Sequence, residues 1–201
     1  MKLYYLKGAC SLASHIALYE TGANFEAVSI DRATRIAADG QDFNKVNPKG
    51  YVPALRLDDG QVLTENVALL QYIGDQNPAA KLLPPAGSME RYRVVEWLAF
   101  ISSEVHKAVS PLFNPAATEE VKQFARANLT KRLDWLDKEF GTRSFLAGEQ
   151  FTVADPYLFT VLGWLPHVGM DLSKWPALKR YHERVGARPN VQKAQKSEGL
   201  I

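Results

Sequence analysis

Apolar and polar positions change their period once along this chain. In residues 1–77 short β-favouring runs alternate with helical spacing. Lys2 to Leu6 is short and aromatic and predicts a first strand. Leu12, Ile16 and Tyr19 then recur at helical spacing until Gly22 stops the run. Phe25 to Ile30 predicts a second strand, and 31–50 a polar loop with a short helix. Val52 to Leu57 predicts a third strand, and Asp58-Asp59-Gly60 a hairpin turn into a fourth at Gln61–Leu63. Glu65 to Gln76 is helical. The pattern βαβ, then hairpin, then helix predicts an α/β domain with a mixed four-stranded sheet covered by helices.

Residues 78–87 carry Pro78, Pro84, Pro85 and Gly87, and read as a linker. From 88 to 201 strand signals disappear. Val94, Leu98, Ile101, Val105, Ala108 and Leu112 make one apolar helical stripe. Leu129, Leu133, Leu136 and Phe140 make a second, and Leu178, Tyr181 and Val185 a third. Val153 to Leu165 is apolar nearly all round and predicts a buried central helix. Pro189 suits the first residue of a last short helix. The expected organisation is therefore an α/β domain over 1–77, a linker over 78–87 and an all-α domain over 88–201.

Composition narrows the function. Of the 201 residues, 24 are basic and 22 acidic, so no basic excess points to nucleic acid. A single cysteine, Cys10, excludes an internal disulfide framework and a cysteine-rich zinc module. His15, His167 and His182 show no spacing that suggests metal and read as structural or surface residues. No run reaches the ~18 apolar residues of a membrane span, and Lys7 interrupts any signal-peptide core. The expectation is a cytoplasmic protein whose lone thiol stays reduced.

Candidate chemistry centres on that thiol. Cys10 follows strand one and opens helix one, with Gly8 permitting the turn between them. A helix N-terminus favours the thiolate, the reactive form. With no second cysteine, a resolving thiol must come from a substrate. Pro53 stands where strand three begins, either as a cis proline in a tight turn or as an ordinary trans edge proline. In the first case Val52 offers its backbone to an extended peptide by strand addition. Thr64-Glu65-Asn66 opens the next helix, where free N–H groups suit a carboxylate and Glu65 suits an ammonium; plain capping by Thr64 is the competing reading. Arg35 suits a second carboxylate or simply solvent. His106 lies one residue past the apolar stripe, on a small polar face with Ala99, Ser102 and Ser103. A surface histidine and one that stabilises a thiolate both fit that position. Thr152 and Asp155 have the spacing of a capping box ahead of the buried helix and read as structural. Tyr157, Trp164 and Phe113 could line an apolar pocket, with core packing preferred for each.

Taken together these segments resemble the glutathione transferase superfamily, and its bacterial beta class in particular. Lys7-Gly8-Ala9-Cys10-Ser11-Leu12-Ala13-Ser14-His15 resembles the beta-class thiol motif. Val46-Asn47-Pro48-Lys49-Gly50 through Val52-Pro53-Ala54-Leu55 resembles the cis-proline segment, and Leu63-Thr64-Glu65-Asn66 the γ-glutamyl-binding turn. Glu96-Trp97-Leu98 through Glu104-Val105-His106-Lys107 is similar to the beta-class fourth helix. Phe151-Thr152-Val153-Ala154-Asp155 resembles the capping motif, and Arg188-Pro189-Asn190-Val191 the C-terminal signature.

The resemblance implies a thioredoxin-like N-terminal domain, an all-helical C-terminal domain and a homodimer. It implies glutathione as co-substrate, no metal, and a small apolar electrophile as the second substrate. Cys10 and His106 would flank the glutathione sulfur, Val52 would pair with its cysteinyl backbone, and Glu65 and Asn66 would hold its γ-glutamyl end. Arg35 stands where lysine is common, Asn66 where serine is frequent, and Ala99 where many members have asparagine. The implied activity is glutathione conjugation. The alternatives are thiol–disulfide exchange or reductive dehalogenation through a Cys10 mixed disulfide, and a non-catalytic ligand-binding protein.

Overall fold

The computed structural model describes all of residues 1–201. The chain divides into two compact units, Met1–Leu83 with Ala187–Ile201, and Pro84–Gly186.

The first unit runs β1 (Lys2–Tyr5), α1 (Ser11–Thr21), β2 (Glu26–Ser29), α2 (Phe43–Val46), β3 (Ala54–Arg56), β4 (Val62–Thr64) and α3 (Asn66–Gln76). The strands form one sheet in the order β2-β1-β3-β4. β1 and β2 are parallel, with Leu3 opposite Ala27, and the other two pairs are antiparallel. The mixed sheet follows from the connections: α1 is the crossover a parallel pair requires, and the Asp58–Gly60 turn closes a hairpin. Leu57 and Gln61 bond across that turn, N–H to carbonyl at 2.8 Å. Leu3 and Tyr4 point to opposite faces of β1 and both are wholly buried, so the central strand is covered on both sides. Tyr4, Val28, Phe43 and Ala54 form the core on one face. Gly74 in α3 admits Leu83, since a side-chain Cβ there would come within 2.7 Å of the Leu83 Cβ.

The C-terminal segment departs from the expected domain division. Residues 187–201, expected in the helical domain, cluster with the first unit. The last helix, α9 (Pro189–Ser197), does begin at Pro189. Its attachments lie in distant side chains that periodicity does not register. Arg188 makes a two-bond fork to Glu20, 2.8 and 2.9 Å long. Glu198, beyond the helix, accepts from the Gly8 amide at 2.9 Å and bonds Nδ1 of His15 at 2.9 Å. His15 is thus a buried structural residue of α1.

The second unit is helical. It runs α4 (Met89–Phe100), a π-helical stretch Ile101–His106, α5 (Lys107–Val109), α6 (Glu119–Phe140), α7 (Ala154–Leu162) and α8 (Pro176–Gly186). Ser88 caps α4 through the Arg91 amide, and Thr118 caps α6 with Glu119 and Glu120 in its first turn. Val94, Leu98, Ile101 and Val105 are wholly buried, as the stripe predicts, but Val109 continues it in place of Ala108 and Leu112. The wider π turn shifts the register by one residue, which a fixed period of 3.6 does not foresee. Every residue of α7 is buried, which accounts for its all-round apolar sequence.

Asp155 explains how that buried helix is tolerated. Its carboxylate accepts from the amides of Thr152 (2.7 Å) and Leu146 (2.9 Å), and from the hydroxyls of Thr152 (3.1 Å) and Tyr181 (3.2 Å). The Thr152 half is the capping box; the Leu146 and Tyr181 bonds extend it to other segments. Burial pushes the Asp155 carboxyl up to about 6, against the pull of these donors.

Candidate active site

The thiol turn begins at the end of β1. Gly8 takes a positive φ of 67°, which reverses the chain, and Ala9 bonds back to the Leu6 carbonyl at 3.0 Å. Ser11 locks the same turn, its hydroxyl within 3.3 Å of both the amide and the carbonyl of Leu6. Cys10 thereby occupies the N-cap position of α1, partly exposed. Its thiol donates to the Val52 carbonyl at 3.1 Å. The Val52–Pro53 bond is cis, which decides the alternative the sequence leaves open. Two segments 42 residues apart are therefore joined at the sulfur.

Asn66 ties in a third segment. Its amide nitrogen donates to the Cys10 carbonyl at 2.8 Å, and its oxygen accepts from the Ser14 hydroxyl at 2.8 Å. Both ends of this buried side chain are engaged with α1, so its backbone N–H at the start of α3 is what it offers a ligand. Glu65 stands at the N-cap with φ 73° and ψ 119°, a sparsely populated conformation for a bulky residue, costing on the order of 1–3 kcal/mol. Such strain in a short helix-leading turn points to function. Thr64, the expected cap, does not serve as one: its hydroxyl accepts from the Lys49 ammonium at 3.1 Å, and the same ammonium pairs with Glu65 at 3.0 Å. Lys49 was assigned no role in the sequence reading. Only the fold brings it beside a carboxylate 16 positions on.

Arg35 also has a positive φ, 62°. Its guanidinium donates to the Gly50 carbonyl and lies over the Phe43 ring, 5.1 Å from the centroid. It is a held residue and not a free surface arginine, and a guanidinium retains further donors for a carboxylate.

In the second unit His106 closes the π-helical stretch. It is half-buried, not the exposed surface histidine that its position also allowed. Its Nδ1 lies 2.8 Å from the Tyr157 hydroxyl, and its ring meets the Trp164 ring edge-on at 4.9 Å. Burial, with the Lys107 charge adding to it, pushes the imidazole down to about 4, so it is neutral at neutral pH. Tyr157 is a core residue, as expected; Trp164 is partly exposed, and Phe113, 6.2 Å from its ring, is 48% exposed. Ala99 and Ser103 are exposed on α4 and the stretch after it.

This geometry matches known proteins along its whole length. The family model for the glutathione S-transferase N-terminal domain covers residues 9–76, and that for the C-terminal domain covers 100–189. The chain is 46% identical over 200 residues to glutathione S-transferase GstA of Escherichia coli O157:H7, covering 100% of both. A sphingomonad glutathione S-transferase solved in complex with glutathione superposes with a TM-score of 0.96 at 52% identity over 100% of both chains. The bacterial beta-class glutathione S-transferase of Sphingomonas chungbukensis gives the same values. The chain belongs to the glutathione S-transferase family and is an enzyme of its bacterial beta class, with a thioredoxin-like first unit and a helical second one. None of its helices is long and apolar enough to cross a membrane.

Proposed function

We propose that this transferase uses glutathione as co-substrate and that Cys10, Val52, Glu65, Asn66, Arg35 and His106 form its binding and catalytic residues. The observation that carries this is the joint built around Cys10, whose thiol donates to the Val52 carbonyl at 3.1 Å and whose carbonyl accepts from the Asn66 side-chain amide at 2.8 Å. A tripeptide lying against Val52 adds a strand and brings its own thiol to the N-terminus of α1. Glu65, held in its strained turn, receives the α-ammonium, and the amide of Asn66 the α-carboxylate. Arg35 meets the far carboxylate. The glutathione thiolate attacks an apolar electrophile such as an aryl halide, the carbon–sulfur bond forming as the carbon–halogen bond breaks and halide leaves, and a neutral His106 is the proposed N–H donor that stabilises the thiolate. Trp164 and Phe113 are the aromatic surface proposed to receive that electrophile.

A second activity is favoured by the partly exposed Cys10 thiol. Its thiolate attacks the glutathione sulfur of a mixed disulfide, expels the other thiolate and becomes glutathionylated. A second glutathione thiolate then releases Cys10 and leaves as glutathione disulfide. We further propose a cytoplasmic homodimer. The first unit exposes Tyr51 (75%), and the second Met89 (64%) and Tyr92 (58%), large apolar groups suited to a partner.

Titration calorimetry with glutathione, beside turnover of an aryl halide and of a glutathione mixed disulfide, tests the reading. Micromolar to millimolar binding with turnover in either assay is expected. Binding without turnover would leave a ligand-binding protein, and no binding would remove the proposed site.

A further inference from the structure

We propose that Tyr157 is a positioning residue: its hydroxyl, 2.8 Å from Nδ1 of His106, donates to that nitrogen and so places the imidazole hydrogen on Nε2. The inference deepens the reading above and rests on it for the role of His106 at the sulfur.

A neutral imidazole carries one N–H, on either nitrogen, and the bond made by one nitrogen decides the character of the other. His106 sits in a partly apolar shell of the Tyr157 and Trp164 rings, with centroids 5.8 and 4.9 Å away and both edge-on. The charge that acts on it is that of Lys107, next in the chain. This shell resists protonation, which makes His106 a poor general base at neutral pH. What it has to offer a sulfur anion is an N–H. For Nε2 to carry that hydrogen, Nδ1 must accept, and Tyr157 supplies the donor.

Tyr157 is suited to hold that bond. It is 2% exposed on α7, whose nine residues are all buried, so its ring is fixed by packing. His106 ends the π-helical stretch, and its own carbonyl accepts from the Ser110 hydroxyl at 2.9 Å. Both partners of the bond therefore stand on held backbone. Reversing the bond, with Nδ1 donating to the phenol oxygen, would leave Nε2 a bare acceptor with no N–H to donate to a thiolate.

The test reads the tautomer directly. Nitrogen-15 shifts of the four histidines are recorded on the ligand-free protein at neutral pH, with His106 identified by the signal lost in His106→Gln. The expected wild-type state carries hydrogen on Nε2. In Tyr157→Phe the population moves towards the Nδ1–H form, and kcat for conjugation falls about tenfold while KM for glutathione changes by less than about twofold. A wild-type Nδ1–H tautomer overturns the proposal without any variant, so it is exposed even if Tyr157→Phe fails to fold. An unchanged tautomer in a folded Tyr157→Phe also overturns it. A tautomer that switches with no change in turnover upholds the hold of Tyr157 on His106 and overturns instead the placement of His106 at the sulfur.

Discussion

The thiol of Cys10 and the imidazole of His106 are set up by different means. Cys10 is partly exposed; its thiol donates to the Val52 carbonyl, and its own carbonyl accepts from the Asn66 side-chain amide. His106 is half-buried, and its partners are the side chains of Tyr157 and Trp164. Replacing the Cys10 side chain leaves the bonds that shape its turn in place, from the Ala9 amide to the Leu6 carbonyl, from Ser11 to Leu6 and from the Asn66 side chain to the Cys10 carbonyl. A site built from packed side chains couples chemistry to stability. The first unit is therefore expected to separate activity from folding, and the second to mix them.

Replacing the thiol gives the largest expected effect. Cys10→Ser is expected to lower disulfide exchange by at least about a thousandfold, since no sulfur remains to form the mixed disulfide, while conjugation falls by no more than about tenfold. Denaturant unfolding should place its stability within about 1 kcal/mol of the parent. A larger loss would break the contrast, by showing that the thiol itself holds the turn.

Asp155→Ala is the counterpart in the second unit. It leaves the amides of Thr152 and Leu146 and the Tyr181 hydroxyl without a buried acceptor. The expected loss is about 3–5 kcal/mol by urea unfolding, with glutathione affinity per folded molecule unchanged.

The buried imidazole predicts a pH dependence. Unfolding returns His106 from about 4 to its ordinary 6.5, so the unfolded chain takes up a proton that the folded one refuses. Its contribution is whole above 6.5 and is lost as pH falls towards 4. Asp155 works in the opposite sense. Raised from 3.8 to about 6, it favours the fold below 3.8, and that gain is lost as pH rises through 6. Comparing the parent with His106→Phe isolates the histidine. The difference between their stabilities should change by about 2–3 kcal/mol between pH 7 and pH 4. A flat difference would show that His106 is as solvated as an exposed residue.

The smallest effect belongs to Lys49. It and Glu65 are both more than half exposed, at 55% and 66%, so their ion pair adds little to stability. Lys49→Met should weaken or strengthen glutathione binding by no more than about threefold in calorimetry, and leave unfolding unchanged. A tenfold change would make Lys49 a ligand contact, and the two regions less distinct.

What could be read in advance follows the range of the signal. Strand alternation and the Asp58–Gly60 turn are local and named their elements to within a few residues, while the stripe from Leu129 to Phe140 marked only the second half of α6, Glu119–Phe140. The strand predicted at 61–63 lies at Val62–Thr64, and the helix at 65–76 starts at Asn66. The places of Cys10 and Glu65 at two helix starts were legible, because the strand-to-helix turns that lead to them are local. Lys49 and Tyr157 were not, because nothing beside them in sequence says which partner waits across the fold.

By itself the sequence determined the order of elements, the change from mixed sheet to helices, and the turn that lifts one cysteine to a helix start. These depend on side-chain period and on glycine and proline geometry, which act over a few residues. Tertiary structure decided that residues 187–201 return to the first unit, through bonds such as Arg188 to Glu20 and Glu198 to His15, 168 and 183 positions apart. It also decided that Val52–Pro53 is cis, that Asn66 spends its side chain on α1, and that His106 meets a tyrosine. Each of these depends on which surfaces find each other, and local periodicity carries no information about that.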